Sequence, residues 1–342
     1  MTLRVAIVAE PSTLLAKDAG IERARDLVRD AADRGAGLVA FPEAWLGGYP
    51  AWVFGMAAWD SAEARHWYGR FVAASPVIAE GDLDPIVEVA GERGIAVVMG
   101  LNERSAAGSG SVYNSLAYIG AGGRLAGVHR KLLPTHTERI VWAPARDGSG
   151  VRVHDLAGAR VGGLICWEHW QPLFRQALHE QHENVHIASW PDMPEMHLVA
   201  SRSYAMEGRC FVLAAAQVLA SDDVPLEIRE AYRAGVGPGT PADGTWFNGG
   251  SAVIGPDGGY VAGPFYDERG ILVADIDPEA AIAYKHDLDL AGHSSRPDVF
   301  RLWKAAPSVP PEPTGVPGTT GAPSSTGAPS STGAPGPTGV AG

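Results

Sequence analysis

The strongest structural signal in this chain is a regular alternation of short apolar runs with amphipathic segments between residues 1 and 305. The apolar runs with strand character are Leu3–Val8, Leu38–Phe41, Ile95–Gly100, Leu116–Ile119, Val161–Ile165, Val185–Ala188, Phe211–Ala216, Ala252–Ile254 and Ile271–Ile276. The segments with helical spacing are Ala16–Ala32, Ala62–Phe71, Pro85–Glu92, Pro172–Gln181 and His197–Met206. Strands that alternate with helices along one chain predict an α/β fold.

Two glycine-containing segments, Gly120–Gly123 and Pro256–Gly259, each separate a pair of apolar runs. Their composition is typical of the turns that connect the two strands of a β-hairpin. A hairpin pairs its strands antiparallel, whereas a helical connection usually joins parallel strands. We therefore expect mixed sheets.

The composition changes at Ala306. Residues 307–342 contain no aromatic residue and a single charge, Glu312, and the sequence Thr-Gly-Ala-Pro-Ser-Ser occurs twice from Thr320 onward. Such a segment has no apolar surface to offset the entropy lost on ordering. We predict one folded domain over 1–305, which contains all the candidate site residues discussed below, and a disordered Pro/Gly/Ser/Thr-rich tail over 306–342.

The charge balance argues against several classes of partner. The chain has 27 Lys and Arg against 39 Asp and Glu, a formal net charge of −12, and no dense basic patch. An acidic surface repels phosphate backbones and anionic lipid, so we expect neither nucleic acid nor a membrane as partner. No apolar stretch approaches the roughly 18–20 residues that span a bilayer. Two cysteines cannot form a disulfide framework, so we expect a reducing, cytoplasmic location.

Cys166 is the first candidate for chemistry. It follows Gly162–Ile165, which is typical of a buried strand, and precedes Pro172, which suits the first turn of a helix. A turn between a strand and a helix commonly presents a nucleophile beside backbone N–H groups that can stabilise an oxyanion. The alternative is a buried structural cysteine. Cys210 fits that alternative and is assigned to the core.

Glu43 is the second candidate. It follows the strand Leu38–Phe41 and lies among apolar and aromatic residues. Such surroundings disfavour the charged form of a carboxyl group and raise its pKa toward the range of a general base. The alternative is a carboxylate that caps a local turn.

Lys131 and Glu138 form the third group. Lys131 ends a strand-like stretch after the Gly120–Gly123 turn, and Glu138 follows seven residues later. Taken alone, Lys131 is typical of a solvated strand end, and Glu138 of a surface ion pair with Arg139 or Arg130.

A metal site is not expected. The eleven histidines show no spacing that pairs them with cysteines as zinc ligands, and the sequence lacks a Walker loop, a dinucleotide-binding glycine motif, a Gly-x-Ser-x-Gly elbow and a His-Glu-x-x-His helix. We therefore expect neither a metal nor any other cofactor.

Three segments in this order, Phe41–Glu43, His129–Thr135 and Cys166–His169, resemble the nitrilase superfamily of carbon–nitrogen hydrolases. The resemblance extends over residues 3–303. It implies a four-layer αββα sandwich with two mixed β-sheets and a Glu–Lys–Cys triad made of Glu43, Lys131 and Cys166. The sequence Cys-Trp-Glu-His followed by Gln-Pro-Leu is similar to the true nitrilase branch.

The resemblance also implies a reaction. Cys166 attacks a nitrile carbon while Glu43 accepts the thiol proton, which gives a thioimidate. Water then converts it to a thioester and finally to the carboxylic acid and ammonia. Lys131 lowers the pKa of the thiol and stabilises negative charge on the substrate nitrogen, and Glu138 orients Lys131 or assists proton transfer.

Other functions remain open at this stage. The same triad acts on amides in amidases and carbamoylases, and on cyanide in cyanide-degrading members of the superfamily. A binding or scaffold protein with an inactive site is the alternative outside enzymes.

Several residues near the motifs are candidates for binding the substrate. They are Tyr49, His136, Trp167, Trp190 and Met193. Their aromatic character favours aromatic or arylaliphatic nitriles. The family resemblance further implies a homo-oligomer built from dimers, in some members a helical filament.

Overall fold

The computed structural model describes residues 2–237 and 239–302, and within them thirteen strands form two β-sheets. The strands are β1 (Leu3–Val8), β2 (Leu38–Ala40), β3 (Ala96–Arg104), β4 (Val112–Gly120), β5 (Arg124–Arg130), β6 (His154–Leu156), β7 (Ala159–Ile165), β8 (Val185–Ser189), β9 (Phe211–Ala215), β10 (Val218–Ala220), β11 (Thr245–Ile254), β12 (Tyr260–Tyr266) and β13 (Ile271–Ile276). The α-helices are α1 (Lys17–Asp33), α2 (Ala62–Ala73), α3 (Asp84–Arg93), α4 (Pro172–His179), α5 (Glu195–Gly208), α6 (Arg229–Val236) and α7 (Ala281–Tyr284).

Both sheets are mixed. The first has the strand order β13-β1-β2-β3-β4-β5, and the second has the order β10-β11-β9-β8-β7-β6 with β12 paired to β11. Strands β1, β2 and β3 are parallel to one another, as are β7, β8 and β9, and the other pairs are antiparallel. The predicted turns at 120–123 and 256–259 connect β4 to β5 and β11 to β12, which confirms the two hairpins.

The residues of the first sheet alternate between two apolar cores. In β1, Val5 and Ile7 belong to the core shared with the second sheet, whereas Ala6 and Val8 belong to the core formed with α1 and α3. Side chains of α4 and α5 pack into the shared cluster from the second sheet's side. This alternation has the two-residue period of a strand and makes the order of layers helix, sheet, sheet, helix. The predicted α/β sandwich is confirmed.

The structure extends the prediction at several elements. Strands β3, β4 and β11 are longer than their apolar runs, because polar residues such as Asn102 and Asn114 continue the ladder. Strands β6 and β10 and helices α6 and α7 were not predicted, and β12 was predicted only as the strand that follows the turn at 256–259. The three strands are short or carry exposed residues, so their sequences lack a clear apolar pattern.

The predicted tail over 306–342 lies outside the described residues. None of the helices in the described ranges is both long and apolar enough to cross a membrane.

Candidate active site

The three residues predicted as a triad each follow the carboxyl end of a strand. Glu43 comes three residues after β2, Lys131 directly follows β5, and Cys166 directly follows β7. The first two strands belong to the first sheet and the third belongs to the second. The site therefore lies where the two sheets meet.

Glu43 is fully buried. Its backbone N–H donates to the carbonyl of Trp190 at 3.3 Å, and its Oε1 accepts hydrogen bonds from Asn114 Nδ2 at 2.6 Å and from Lys131 Nζ at 3.0 Å. Its Oε2 has no hydrogen-bond partner among the described residues. Burial raises the pKa of Glu43 to about 7, although the nearby Lys131 opposes the shift. The carboxylate thus has one oxygen free to accept a proton near neutral pH.

Lys131 connects two carboxylates. Its Nζ donates to Glu43 Oε1 at 3.0 Å and to Glu138 Oε2 at 2.8 Å, and its side chain is inaccessible to solvent. Burial by itself disfavours the ammonium, but the charges of Glu43 and Glu138 outweigh that effect and raise the pKa of Lys131. The lysine is therefore a cation in a buried site, not a solvated strand end.

Glu138 is also buried, so the alternative of a surface ion pair is wrong. Its Oε2 accepts from Lys131 and from the backbone N–H of Thr135 at 2.7 Å, and its Oε1 accepts from the Tyr49 hydroxyl at 2.8 Å. Its bond from the Thr135 N–H lies at the start of a short 3₁₀ turn over His136–Ile140. The turn thereby fixes the second carboxylate on the lysine.

Cys166 opens a 3₁₀ turn over Cys166–Trp170, which confirms the predicted position between a strand and a helix. Its φ of 51° lies in the left-handed region, which few non-glycine residues adopt, and the residue is only 4% exposed. Burial, followed by the charge of Glu43, raises the pKa of the thiol well above its usual value, and the opposing effect of Lys131 does not compensate. The thiol must therefore lose its proton to a base as it reacts.

A buried chain of polar groups extends from the backbone of the cysteine. His169 Nδ1 donates to the Cys166 carbonyl at 2.7 Å, and the Nε2 atoms of His169 and His186 lie 3.0 Å apart. His186 Nδ1 in turn lies 3.0 Å from Glu183 Oε2. These polar groups connect the turn at Cys166 to the second sheet.

The residues predicted to bind substrate occupy different places. Tyr49 lies at the site through its bond to Glu138, and Met193 is buried with its side chain beside Gly250. Trp190 is fully buried, and its ring stacks between the rings of His169 and His197.

His136 and Trp167 lie farther out. Both line a cavity of about 300 Å³ whose lining does not include Cys166 or Lys131. Trp167 is 54% exposed. The structure therefore brings Tyr49 to the triad. Trp190 is buried, and its backbone carbonyl binds the N–H of Glu43. His136 and Trp167 lie beside a neighbouring cavity.

Sequence reasoning missed Asn114, which donates to Glu43 Oε1 at 2.6 Å. It also missed Trp142, whose ring centroid lies 5.7 Å from Lys131 Nζ and whose indole N–H donates to Asn102. The available signal was the two asparagines, which interrupt otherwise apolar strands and are buried there. In the part of the chain that the structure describes, no group of three or more His, Cys, Asp or Glu side chains is placed to bind a metal ion.

Comparison with known proteins gives one family. Residues 4–286 match the model of the family described as carbon–nitrogen hydrolase. An aliphatic nitrilase of Rhodococcus rhodochrous is 35% identical over 315 residues, which cover 88% of this chain and 78% of the relative. An arylacetonitrilase of Aspergillus kawachii is 34% identical over 315 residues, which cover 88% of this chain and 90% of the relative.

The solved structures agree at the level of the fold. The crystal structure of a carbon–nitrogen hydrolase from Helicobacter pylori superposes with a TM-score of 0.66 at 20% identity, and the match covers 87% of this chain and 97% of that one. At this identity the likeness bears on the fold alone.

Proposed function

This chain belongs to the carbon–nitrogen hydrolase family, in its nitrilase branch, and we propose that it hydrolyses organic nitriles to the carboxylic acid and ammonia with Cys166 as the nucleophile. The observation that carries the proposal is the buried ammonium of Lys131, held at 3.0 and 2.8 Å by Glu43 and Glu138 and close enough to the Cys166 thiol to affect its pKa. In this proposal the groups act as a base, a cation and a nucleophile in one buried site.

The first step forms a carbon–sulfur bond. The Cys166 thiol transfers its proton to Glu43 as the sulfur attacks the nitrile carbon, and the proton then passes to the nitrile nitrogen, which yields a thioimidate. The raised pKa of the thiol and the pKa of about 7 at Glu43 favour a proton transfer that accompanies the attack over a preformed thiolate. The free Oε2 of Glu43 is the oxygen available to accept that proton.

Two molecules of water complete the reaction. The first adds to the thioimidate with Glu43 as base, and the tetrahedral carbon expels ammonia to leave a thioester. The second water hydrolyses the thioester, releases the carboxylic acid and returns the proton to the Cys166 sulfur. Expulsion of the thiol in place of ammonia gives the amide as a by-product.

Lys131 and Glu138 assist these steps but form no covalent bond with the substrate. In the proposed reaction negative charge develops on the substrate nitrogen, and the role assigned to the Lys131 ammonium is to stabilise that charge as a fixed cation in a buried site. Glu138 receives its orientation from Tyr49 and from the Thr135 backbone, and it keeps the lysine charged and in place.

The proposed substrates are aromatic or arylaliphatic nitriles. The support is the aromatic surroundings of the lysine: the Tyr49 and Trp142 rings meet edge to face at 5.7 Å, and the Trp142 ring faces Lys131 Nζ. Aromatic side chains near the lysine favour contact with an aryl substituent. Trp190, whose carbonyl accepts from the Glu43 N–H, and Met193 belong to the same buried apolar cluster as Cys166.

The test is the release of ammonia and acid from benzonitrile, phenylacetonitrile, an aliphatic dinitrile, cyanide and benzamide. The proposal predicts acid from the nitriles, fastest for the two aryl compounds, and little turnover of benzamide. Activity confined to benzamide would assign the chain to the amidases, and activity confined to cyanide to the cyanide-degrading members.

We further propose that the enzyme is a homo-oligomer built from dimers, with filaments as a higher form, and that it works in the cytoplasm. Exposed apolar side chains on α5, namely Met196, Val199 and Met206, support an interface between copies. A mass from light scattering that equals one chain at all concentrations would contradict the oligomer.

A further inference from the structure

Glu168, two residues after the nucleophile, is a buried carboxylate that the proposed reaction does not use. It is 2% exposed, yet both of its oxygens are occupied. Oε1 accepts from the backbone N–H of Leu132 at 2.8 Å, and Oε2 accepts from the backbone N–H of Ile165 at 2.9 Å and from His129 Nε2 at 2.8 Å.

The three donors come from both sheets. His129 lies in β5 of the first sheet and Leu132 lies just beyond it, whereas Ile165 is the last residue of β7 in the second sheet. Leu132 directly follows Lys131, and Ile165 directly precedes Cys166. One carboxylate therefore ties together the two backbone segments that carry the catalytic cation and the nucleophile.

We propose that Glu168 is a positioning residue that sets the separation between Lys131 and Cys166 by accepting hydrogen bonds from both of their backbone segments. The inference rests on the proposed function, since it assigns Lys131 and Cys166 their roles.

An amide cannot replace this carboxylate. Each of its two oxygens accepts a backbone N–H, so an amide would place its own N–H donors against one of them. Although burial alone would raise the pKa of Glu168, the charge and hydrogen bond of His129 and the two backbone N–H groups lower it. Charge-assisted hydrogen bonds of this kind are short and directional, so the geometry is well defined.

The test is Glu168→Gln, which keeps the shape of the side chain and removes one acceptor. We expect kcat for a nitrile to fall by about 100-fold with little change in KM, because displacement of reacting groups by about an ångström has effects of that size. The rate of alkylation of Cys166 by iodoacetamide, followed on its own peptide by mass spectrometry, should fall by about tenfold for the same reason.

Glu103→Gln is the matched control. Glu103 is also a buried acceptor, with bonds from Ser115 Oγ at 2.7 Å and from the Arg130 guanidinium, but all of its partners lie in the first sheet. We expect this variant to lose thermal stability and to keep the wild-type alkylation rate of Cys166 within a factor of about two, since it does not connect the sheets.

A second variant covers the case in which Glu168→Gln does not fold. His129→Leu removes one of the three donors and leaves both backbone bonds, so we expect a smaller decrease in kcat and in alkylation rate. Wild-type alkylation and kcat in the folded Glu168 or His129 variant would overturn the proposal. The alkylation comparison requires no nitrile turnover, so a wild type inactive on nitriles would contradict the proposed function and leave the positioning test intact.

Discussion

At the scale of single residues, Glu43 combines two opposing influences. Burial destabilises its carboxylate, whereas the ammonium of Lys131 and the amide of Asn114 stabilise it, and the result is a pKa of about 7. A base with that pKa is ionised in about half of the molecules near neutral pH and can still hold a proton during the reaction. The position of Oε2, buried and without a partner among the described residues, matches this role.

This balance predicts the pH dependence of kcat/KM on a nitrile. Glu43 must be ionised to accept the thiol proton, so kcat/KM should fall about tenfold per pH unit below about pH 7 and level off above it. Lys131, with its raised pKa, stays protonated across this range. Initial rates between pH 5 and 9 test the prediction, and a profile that stays flat down to pH 5 would exclude Glu43 as the base.

The triad also predicts the effect of removing single charges. Glu43→Gln should lower kcat by about 10²–10⁴-fold, the range for loss of a general base, with the fold intact. Lys131→Ala should abolish turnover and also lower the free energy of unfolding by about 3–5 kcal/mol, because two buried carboxylates lose their cation. Steady-state kinetics measure the loss of kcat, and urea unfolding measures the loss of free energy of unfolding.

Lys17→Ala serves as the control for a lost lysine, because its partly exposed ion pair with Asp82 is remote in sequence from all three catalytic segments. Near wild-type rates for Lys131→Ala would refute the role of the cation.

The triad of Glu43, Lys131 and Cys166 was predicted from the resemblance of three sequence segments to a family, because each residue taken alone also had a structural interpretation. The environment of these three side chains could not be predicted from the sequence. The sequence left Glu138 with a surface alternative, because seven residues of separation do not show that a 3₁₀ turn returns its carboxylate to Lys131. Asn114 was missed since its role depends on the register between β4 and β5, which places its carbonyl on the Lys131 N–H.

At the scale of elements, the turn that carries Glu43 is held against strand β3. Leu46 N–H donates to the Gly100 carbonyl at 3.0 Å, and a Cβ on Gly100 would lie 1.9 Å from the carbonyl oxygen of Pro42. The close approach of the two backbones therefore requires glycine at this position. It also makes the position of Glu43 depend on β3.

Gly100→Ala should for this reason displace the Glu43 turn. We expect a loss of about 1–3 kcal/mol in the free energy of unfolding, typical of overpacking, and a decrease in kcat larger than any loss of folded protein explains. Gly122→Ala is the control, because a Cβ there meets nothing within 4 Å. Equal kcat in the two variants would show that the turn does not depend on the contact.

The elements differ in how well a single sequence predicts them. Strands β1 and β13 were predicted with the observed ends because both are apolar runs bounded by polar or turn residues. Helix α6 was missed because it is short and polar and buries only Tyr232. Its burial depends on contacts with the loop after β2, where the Tyr232 hydroxyl donates to the Tyr49 carbonyl, and such a contact is not visible in local sequence.

At the scale of the whole molecule, the two sheets supply different parts of the site. Glu43 and Lys131, the proposed base and cation, follow strands of the first sheet, whereas Cys166, the proposed nucleophile, follows a strand of the second. A reaction that needs side chains from both sheets should therefore be sensitive to the packing between the sheets. Contacts such as Tyr118 against Gly163, where an added Cβ would lie 2.8 Å from the Tyr118 hydroxyl, set that packing.

The division into a catalytic domain over 1–305 and a tail over 306–342 stays a prediction, and a truncation tests it. A chain that ends at Ala305 should keep the thermal midpoint and the nitrile turnover of the full chain, since all residues placed at the site precede it. A loss of more than about tenfold in kcat, far outside the effect of a solvated tail, would contradict this division.

The most direct test of the account compares acid release from phenylacetonitrile by the wild type and by Cys166→Ala. The account predicts turnover by the wild type and a loss of at least about 10³-fold in the variant, because the covalent route has no other nucleophile. Circular dichroism and the thermal midpoint should show that the variant is folded. A folded Cys166→Ala variant that hydrolyses the nitrile within tenfold of the wild-type rate would contradict the central claim that this cysteine carries the reaction.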